Sequence, residues 1–128
     1  MPDSTGPHIL IVDDDVAVGI AMTRLLERSG FRAHVAHSGL EGLAALRERR
    51  FDAILCDLRL PFLQGQGLYK ELVDDYPEQA RRVIFMTGLP PDPKTRALVD
   101  ETGRPLLHKP IESGDLLAAI GVAMGRSE

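Results

Sequence analysis

The chain is short of several things, and each shortage narrows what it can be. It has one cysteine, Cys56, in 128 residues. A single cysteine excludes an internal disulfide framework and a cysteine-based zinc cage. Positive charge is not in excess: 15 Lys and Arg stand against 19 Asp and Glu, a formal net charge of −4. That balance argues against a general nucleic-acid binder, which carries a basic patch, so no direct nucleic-acid contact is expected. The one basic cluster, Arg47, Arg49 and Arg50, has Glu41 and Glu48 beside it and reads as a solvated helix face. Long apolar runs are lacking too. Ile9–Val12 is far short of a signal-peptide core or a membrane span, so no membrane association and a cytoplasmic location are expected. The histidines, His8, His34, His37 and His108, offer no i, i+4 pair of metal-binding type.

What is present is an ordinary globular composition, 44% apolar, in a length that suits one domain of roughly 100–150 residues. Met1–Pro7 reads as a loose tail. His8–Val12 is a short β-branched run that stops at three aspartates, Asp13–Asp15. A strand apolar on both faces is expected in a parallel sheet covered by helices. Val18, Ala21, Met22, Leu25 and Leu26 then follow helical spacing, with Gly30 placed to end the helix. The pattern recurs. Phe31–Ala36, Phe51–Cys56, Arg82–Met86 and Pro105–His108 are strand candidates. Between them lie apolar stripes at Leu40, Leu43 and Ala44, at Leu68, Leu72 and Val73, and at Ala97, Leu98 and Val99. A final stripe runs through Leu116, Leu117, Ile120 and Met124. Ser38 with Glu41 has capping-box spacing, Ser113 is a candidate cap, and Gly65 and Gly67 read as loop. Five strand–helix alternations predict an α/β, doubly wound (βα)5 sandwich around a five-stranded parallel sheet.

Such sheets bind ligands at the carboxyl ends of their strands. The first strand ends at Asp13–Asp15, the third at Asp57, the fourth at Thr87 and the fifth at Lys109. Singly, each has a plainer explanation: a helix cap, a turn residue, a loop threonine, a surface charge. Together they place carboxylates, a hydroxyl and an ammonium on one rim. Clustered carboxylates call for a cation, and an all-oxygen donor set suits Mg²⁺. A carboxylate beside Mg²⁺ can act as a nucleophile toward phosphorus, with a lysine and a hydroxyl to stabilise the transferring group.

Ile11-Val12-Asp13-Asp14, Asp52 through Pro61, Met86-Thr87-Gly88 and Lys109-Pro110, in this order and spacing, resemble the receiver domain of two-component response regulators. The resemblance covers residues 8–125 and implies a single flavodoxin-like domain. It implies a phosphoacceptor switch rather than an enzyme with a substrate of its own. Asp57 would be the phosphoacceptor. Asp13, Asp14, Asp57 and the backbone carbonyl of Arg59 would be Mg²⁺ ligands, and Thr87 and Lys109 the groups that meet the phosphoryl oxygens. The implied partners are a sensor histidine kinase or histidine phosphotransfer protein, and a downstream effector protein or attached domain. Leu68–Leu72 and Thr102–Pro110 look like receivers attached to hybrid sensor histidine kinases. The chain is expected to be either a stand-alone receiver or part of a longer protein.

The sequence departs from the family where an aromatic residue often stands three positions before the lysine; here it is Leu106. Gln64-Gly65 replaces a frequent Asp-Gly pair, and Pro90, Pro91 and Pro93 follow Thr87. Two other readings compete. A phosphatase of the haloacid dehalogenase type could use Asp13 and Asp15, but it would lack a second acidic pair after the lysine and leave Asp57 without a role. A pseudo-receiver that does not phosphorylate is disfavoured by the intact set Asp13, Asp14, Asp57, Thr87 and Lys109. Arg59, two residues past Asp57, is expected to overhang the site and limit water's access to a phosphate. Cys56, in a buried strand, is expected to be packing.

Overall fold

The computed structural model describes residues 6–59 and 65–125. Leu60, Pro61 and Gln64 lie outside these residues, as do Met1–Thr5 of the expected tail. Gly6 and Pro7 are tied down: their carbonyls accept hydrogen bonds from the Arg32 side chain and the Arg32 N–H, both at 2.8 Å.

Five strands form one parallel sheet: β1 (His8–Val12), β2 (Arg32–Ala36), β3 (Ala53–Asp57), β4 (Val83–Thr87) and β5 (Leu106–His108), in the order β2-β1-β3-β4-β5. The helices are α1 (Val16–Arg28), α2 (Gly39–Glu48), α3 (Gly65–Asp75), the short α4 (Pro77–Ala80), α5 (Pro93–Thr102) and α6 (Ser113–Ala123). The architecture is the one the apolar periodicity predicts.

Central and edge strands differ as their neighbours require. All residues of β1, β3 and β4 are buried, because helices cover both faces, whereas β2 and β5 are partly exposed. Alternation survives inside the apolar runs. Leu10, Val12, Ile54, Cys56, Val83 and Phe85 point to one core, with Leu43, Leu46, Leu68 and Leu72. Ile9, Ile11, Leu55, Ile84 and Met86 point to the other, with Met22, Leu26, Leu116 and Ile120.

Local chemistry sets the helix ends. The Asp15 side chain accepts from the N–H groups of Ala17 and Val18, capping α1. Gly30, at φ 90°, donates to the Glu27 carbonyl while Phe31 donates to Leu26, a Schellman ending that needs the left-handed conformation. Ser38 accepts from the Glu41 N–H, and the Glu41 carboxylate reaches back to the His37 N–H.

Four sequence expectations are corrected. Glu112, not Ser113, is the N-cap of α6, and Ser113 is its first residue. Gly65 and Gly67 form the first turn of α3 rather than a loop; the first turn is where N–H groups lack helical partners in any case. Leu40 and Val73 are exposed, and Leu46 takes the buried position in α2. The pattern also missed α4, which is a single turn begun by Pro77.

That turn carries a structural clamp. Gln79 is buried, its carbonyl oxygen accepting from the Phe51 N–H at 2.8 Å and its amide donating to the Phe51 carbonyl at 3.1 Å. Gln79→Leu would leave both backbone groups buried and unpaired. It is expected to cost about 2–3 kcal/mol in denaturant unfolding; an unchanged midpoint would show that the clamp carries no stability.

Candidate functional site

The chain leaves β1 toward β2 on one side and returns to β3 on the other, so the strand order reverses between β1 and β3. The loops leaving their carboxyl ends run to helices on opposite faces of the sheet, α1 and α3, and a crevice opens between them. Asp13 follows β1, Asp57 ends β3, Thr87 ends β4, and Lys109 follows β5. The four predicted rim positions converge, with Asp14 beside them.

Carboxylate oxygens of Asp13, Asp14 and Asp57 all lie within 4.8 Å of one another. Asp13 is fully buried, Asp57 is 5% exposed, and Asp14 is exposed. Lys109 reaches in from across the sheet. Its Nζ donates to Asp13 Oδ2 at 2.6 Å and to Asp57 Oδ2 at 3.1 Å. Each buried aspartate also accepts a backbone N–H: Asp15 donates to Asp13 Oδ1 and Arg59 to Asp57 Oδ1, both at 2.9 Å. The local chain after each strand thus turns back to hold the carboxylate that ended it.

Among the described residues, one ammonium, bonded to two of the three clustered carboxylates, leaves the rim with an excess of negative charge. Burial pushes the Asp13 carboxyl above its ordinary range, against the hydrogen bonds from Lys109 and the Asp15 N–H; the charge of Asp57 adds to the rise. For Lys109, burial acts to lower the pKa. The hydrogen bonds and charges of Asp13 and Asp57 outweigh it and hold the ammonium above its ordinary value. Cys56 is buried one residue before Asp57, and burial together with the Asp57 and Asp13 charges pushes its thiol far up. It is inert packing material.

The Thr87 hydroxyl is 2% exposed as a residue and is committed elsewhere: it donates to the Leu89 carbonyl at 2.6 Å and accepts from the Leu89 N–H at 3.4 Å. Its own carbonyl accepts from the Lys109 N–H at 2.8 Å, which ties the ends of β4 and β5 together. The peptide bond from Lys109 to Pro110 is cis. Leu106 is half-buried against the core that holds Phe85, and Tyr69 of α3 packs edge-on to Phe85 with ring centroids 5.7 Å apart. The Arg59 side chain is exposed, and the Arg59 N–H on Asp57 Oδ1 places the residue beside that aspartate. Sequence reasoning did not find Leu89, because a backbone acceptor leaves no residue-type signal.

An all-oxygen donor set with surplus negative charge fits a hard divalent cation. Fold and rim together define a doubly wound α/β domain with an acidic, lysine-bearing site at its switch point. Residues 9–121 match the family model described as the response regulator receiver domain. The chain belongs to that family, the receiver domains of two-component systems. It is 31% identical over 117 residues to the uncharacterized transcriptional regulatory protein YkoG of Bacillus subtilis (strain 168), covering 91% of this chain and 50% of that protein. It is 32% identical over 120 residues to the transcriptional regulatory protein ZraR of Escherichia coli O157:H7, covering 93% of this chain and 26% of that one. The chain thus spans half or less of these curated relatives. A solved CheY-like receiver domain protein from Methanospirillum hungatei JF-1 superposes with a TM-score of 0.83 at 28% identity, covering 94% of each chain. Among the described residues, no helix is long and apolar enough to cross a membrane.

Proposed function

We propose that this chain takes a phosphoryl group onto Asp57 from the phosphohistidine of a sensor histidine kinase or histidine phosphotransfer protein. It then passes the change to a downstream effector protein or an attached domain, including a hybrid kinase of which it could form part. The observation that carries this reading is the placement of Lys109 between Asp13 and Asp57 with a third carboxylate at hand.

The carboxylates of Asp13, Asp14 and Asp57 and the Arg59 carbonyl would hold Mg²⁺. When bound, Mg²⁺ neutralises charge on the carboxylates and on the phosphoryl oxygens. The Asp57 carboxylate attacks phosphorus; the P–N bond breaks, and its electron pair leaves with the imidazole nitrogen. Lys109, already on Asp57 Oδ2, would pair with a phosphoryl oxygen. Thr87 must give up the Leu89 carbonyl to bond the phosphate. Losing a neutral hydrogen bond costs about 1 kcal/mol, and a bond to a charged oxygen returns about 1.5–3 kcal/mol. The balance is small, so phosphorylation biases two existing states rather than forcing one. With Leu106 at the usual aromatic position, that shift has no aromatic ring to turn there.

Incubation with a small phosphodonor and Mg²⁺, followed by intact mass, tests the reading. One phosphate adduct is expected. A folded protein that binds Mg²⁺ yet gains no adduct would instead be a pseudo-receiver, and steady phosphate release from many organic phosphates would mark a phosphatase. The exposed Arg59 side chain is expected to screen the adduct from water. Arg59→Ala should shorten the aspartyl-phosphate lifetime by roughly threefold, a change in barrier under 1 kcal/mol; equal dephosphorylation rates would remove Arg59 from this role.

A further inference from the structure

The sheet has an open edge at β2. In the order β2-β1-β3-β4-β5, β2 pairs on one side only, parallel to β1. The Arg32 N–H donates to the Pro7 carbonyl and the Ala36 carbonyl accepts from the Asp13 N–H, so the even-numbered residues of β2 turn their backbone toward β1. Ala33 and Val35 turn theirs outward. Among the described residues, nothing bonds the N–H or the carbonyl of either. Such a row is a template for one more strand. The other edge, β5, is three residues long, whereas β2 has five and no proline among them.

Two recesses flank this edge, one on each face. Ala33 and Val35 pack toward the core under α1, and Ala36 toward the core under α2. On the α1 face, Val16, Gly19, Ile20 and Val35 line a recess of about 330 Å³, together with Arg24 and Glu27, whose charges offset each other. Val16 is 60% and Ile20 49% exposed. Gly19 lets α1 lie close over the strand, since a Cβ there would come within 3.1 Å of Val35 Cγ1. On the α2 face, His34, Ala44, Ala45, Glu41 and Glu48 line a recess of about 210 Å³, and its charged residues are both acidic. Glu41 accepts from the His37 N–H at 3.3 Å, level with the end of β2. Glu48 is two turns further along α2, about 10 Å back toward the start of the strand. An added strand sends alternate side chains to opposite faces. The residue opposite Val35 would enter the apolar recess, and its two neighbours, opposite His34 and Ala36, would meet the carboxylates.

We propose that the β2 edge docks an extended segment of another protein as a sixth strand, and that it selects a basic–apolar–basic run of three residues. The outward backbone groups of Ala33 and Val35 supply the main-chain bonds, and the two recesses supply the choice of side chains. A second copy of this chain fits the edge less well than a lone segment. Its own α1 and α2 wall its β2 in the same way, so the helices of the two copies would meet before the strands did. The surface uses no residue of the acidic rim and needs no phosphate on Asp57.

A fluorescein-labelled Lys-Val-Lys-Val-Lys amide, titrated with the full chain and followed by anisotropy and by backbone amide chemical shifts, tests this. Binding is expected with a dissociation constant below about 1 mM, and the Ala33 and Val35 amides should be among those that move most. Ala33→Pro removes an outward N–H at an edge position, where proline is tolerated, and should weaken binding at least about tenfold. Glu48→Lys, at an exposed side chain, should weaken it about fivefold and strengthen binding of the Glu-Val-Glu-Val-Glu peptide. No binding up to about 1 mM overturns the proposal. So do unmoved Ala33 and Val35 amides, or equal binding of a Lys-Lys-Lys-Val-Val peptide, which would mean charge attraction without strand pairing. If Ala33→Pro fails to fold, Glu48→Lys decides: unchanged affinity for both alternating peptides overturns the proposal. Self-association of the chain that Ala33→Pro abolishes would overturn it in favour of a second copy at this edge.

Discussion

Asp57→Asn is expected to abolish phosphate uptake while leaving the domain at least as stable as the wild type. The chemical loss follows from the nucleophile: an amide oxygen lacks the charge and basicity to attack phosphorus, so no adduct should appear at any phosphodonor concentration. The stability expectation follows from the electrostatics of the rim. Oxygens of three carboxylates lie within 4.8 Å of one another, two of the three aspartates are buried, and one ammonium bonds those two. Replacing one by a neutral group of the same shape relieves repulsion, while Lys109 keeps its 2.6 Å bond to Asp13. The amide oxygen can still accept from the Arg59 N–H. Intact mass and thermal unfolding in EDTA check both halves. An adduct on the variant would move the phosphoacceptor elsewhere, and a large loss of stability would mean that the Asp57 charge holds the fold together.

Lys109→Met has the opposite sign. It leaves Asp13 and Asp57 buried, close together and without their cation. Breaking a buried pair from one side costs about 3–5 kcal/mol. The lower end, about 3 kcal/mol, is expected here because the Lys109 side chain keeps 19% exposure and solvent shares the charge. Mg²⁺ should recover part of the loss by binding the same oxygens.

The pH dependence has a fixed sign. Lys109 has a raised folded-state pKa, so its contribution is present below its ordinary value and is lost as pH climbs through the raised one. Asp13 is raised too, so its protonated form favours the fold below the ordinary carboxylate value, and that preference is lost as pH rises through its folded value. The deficit of Lys109→Met should therefore be greatest near neutrality and shrink as acid protonates Asp13. A deficit independent of pH would point to lost side-chain packing rather than lost charge.

Much of the site was legible because its residues sit where strands stop. An apolar run such as His8–Val12 must end where the sheet ends, and the next residue then lies on the rim whatever the packing. The parallel pattern puts all such ends on one side. Asp13, Asp57, Thr87 and Lys109 could thus be gathered from positions 13 to 109 without a single contact being known. The helices were read less well. Leu40 and Val73 fit an apolar stripe by spacing alone, yet they face water, because a stripe a residue or two out of phase looks the same until the sheet beneath it is in place.

The sequence by itself determined the layers, the strand ends and the residue types on the rim, since these depend on local periodicity and on where apolar runs break. The tertiary structure alone decided which groups touch. It set Lys109 closer to Asp13 than to Asp57 across separations of 96 and 52 residues. It turned Thr87 to the Leu89 carbonyl, locked Gln79 onto Phe51, and left Leu117 and Val122 of α6 facing outward. The physical reason is one of scale. Local pattern fixes the direction of a strand or helix, but a hydrogen bond is made or lost over a few tenths of an ångström, and that distance is set by how distant elements pack.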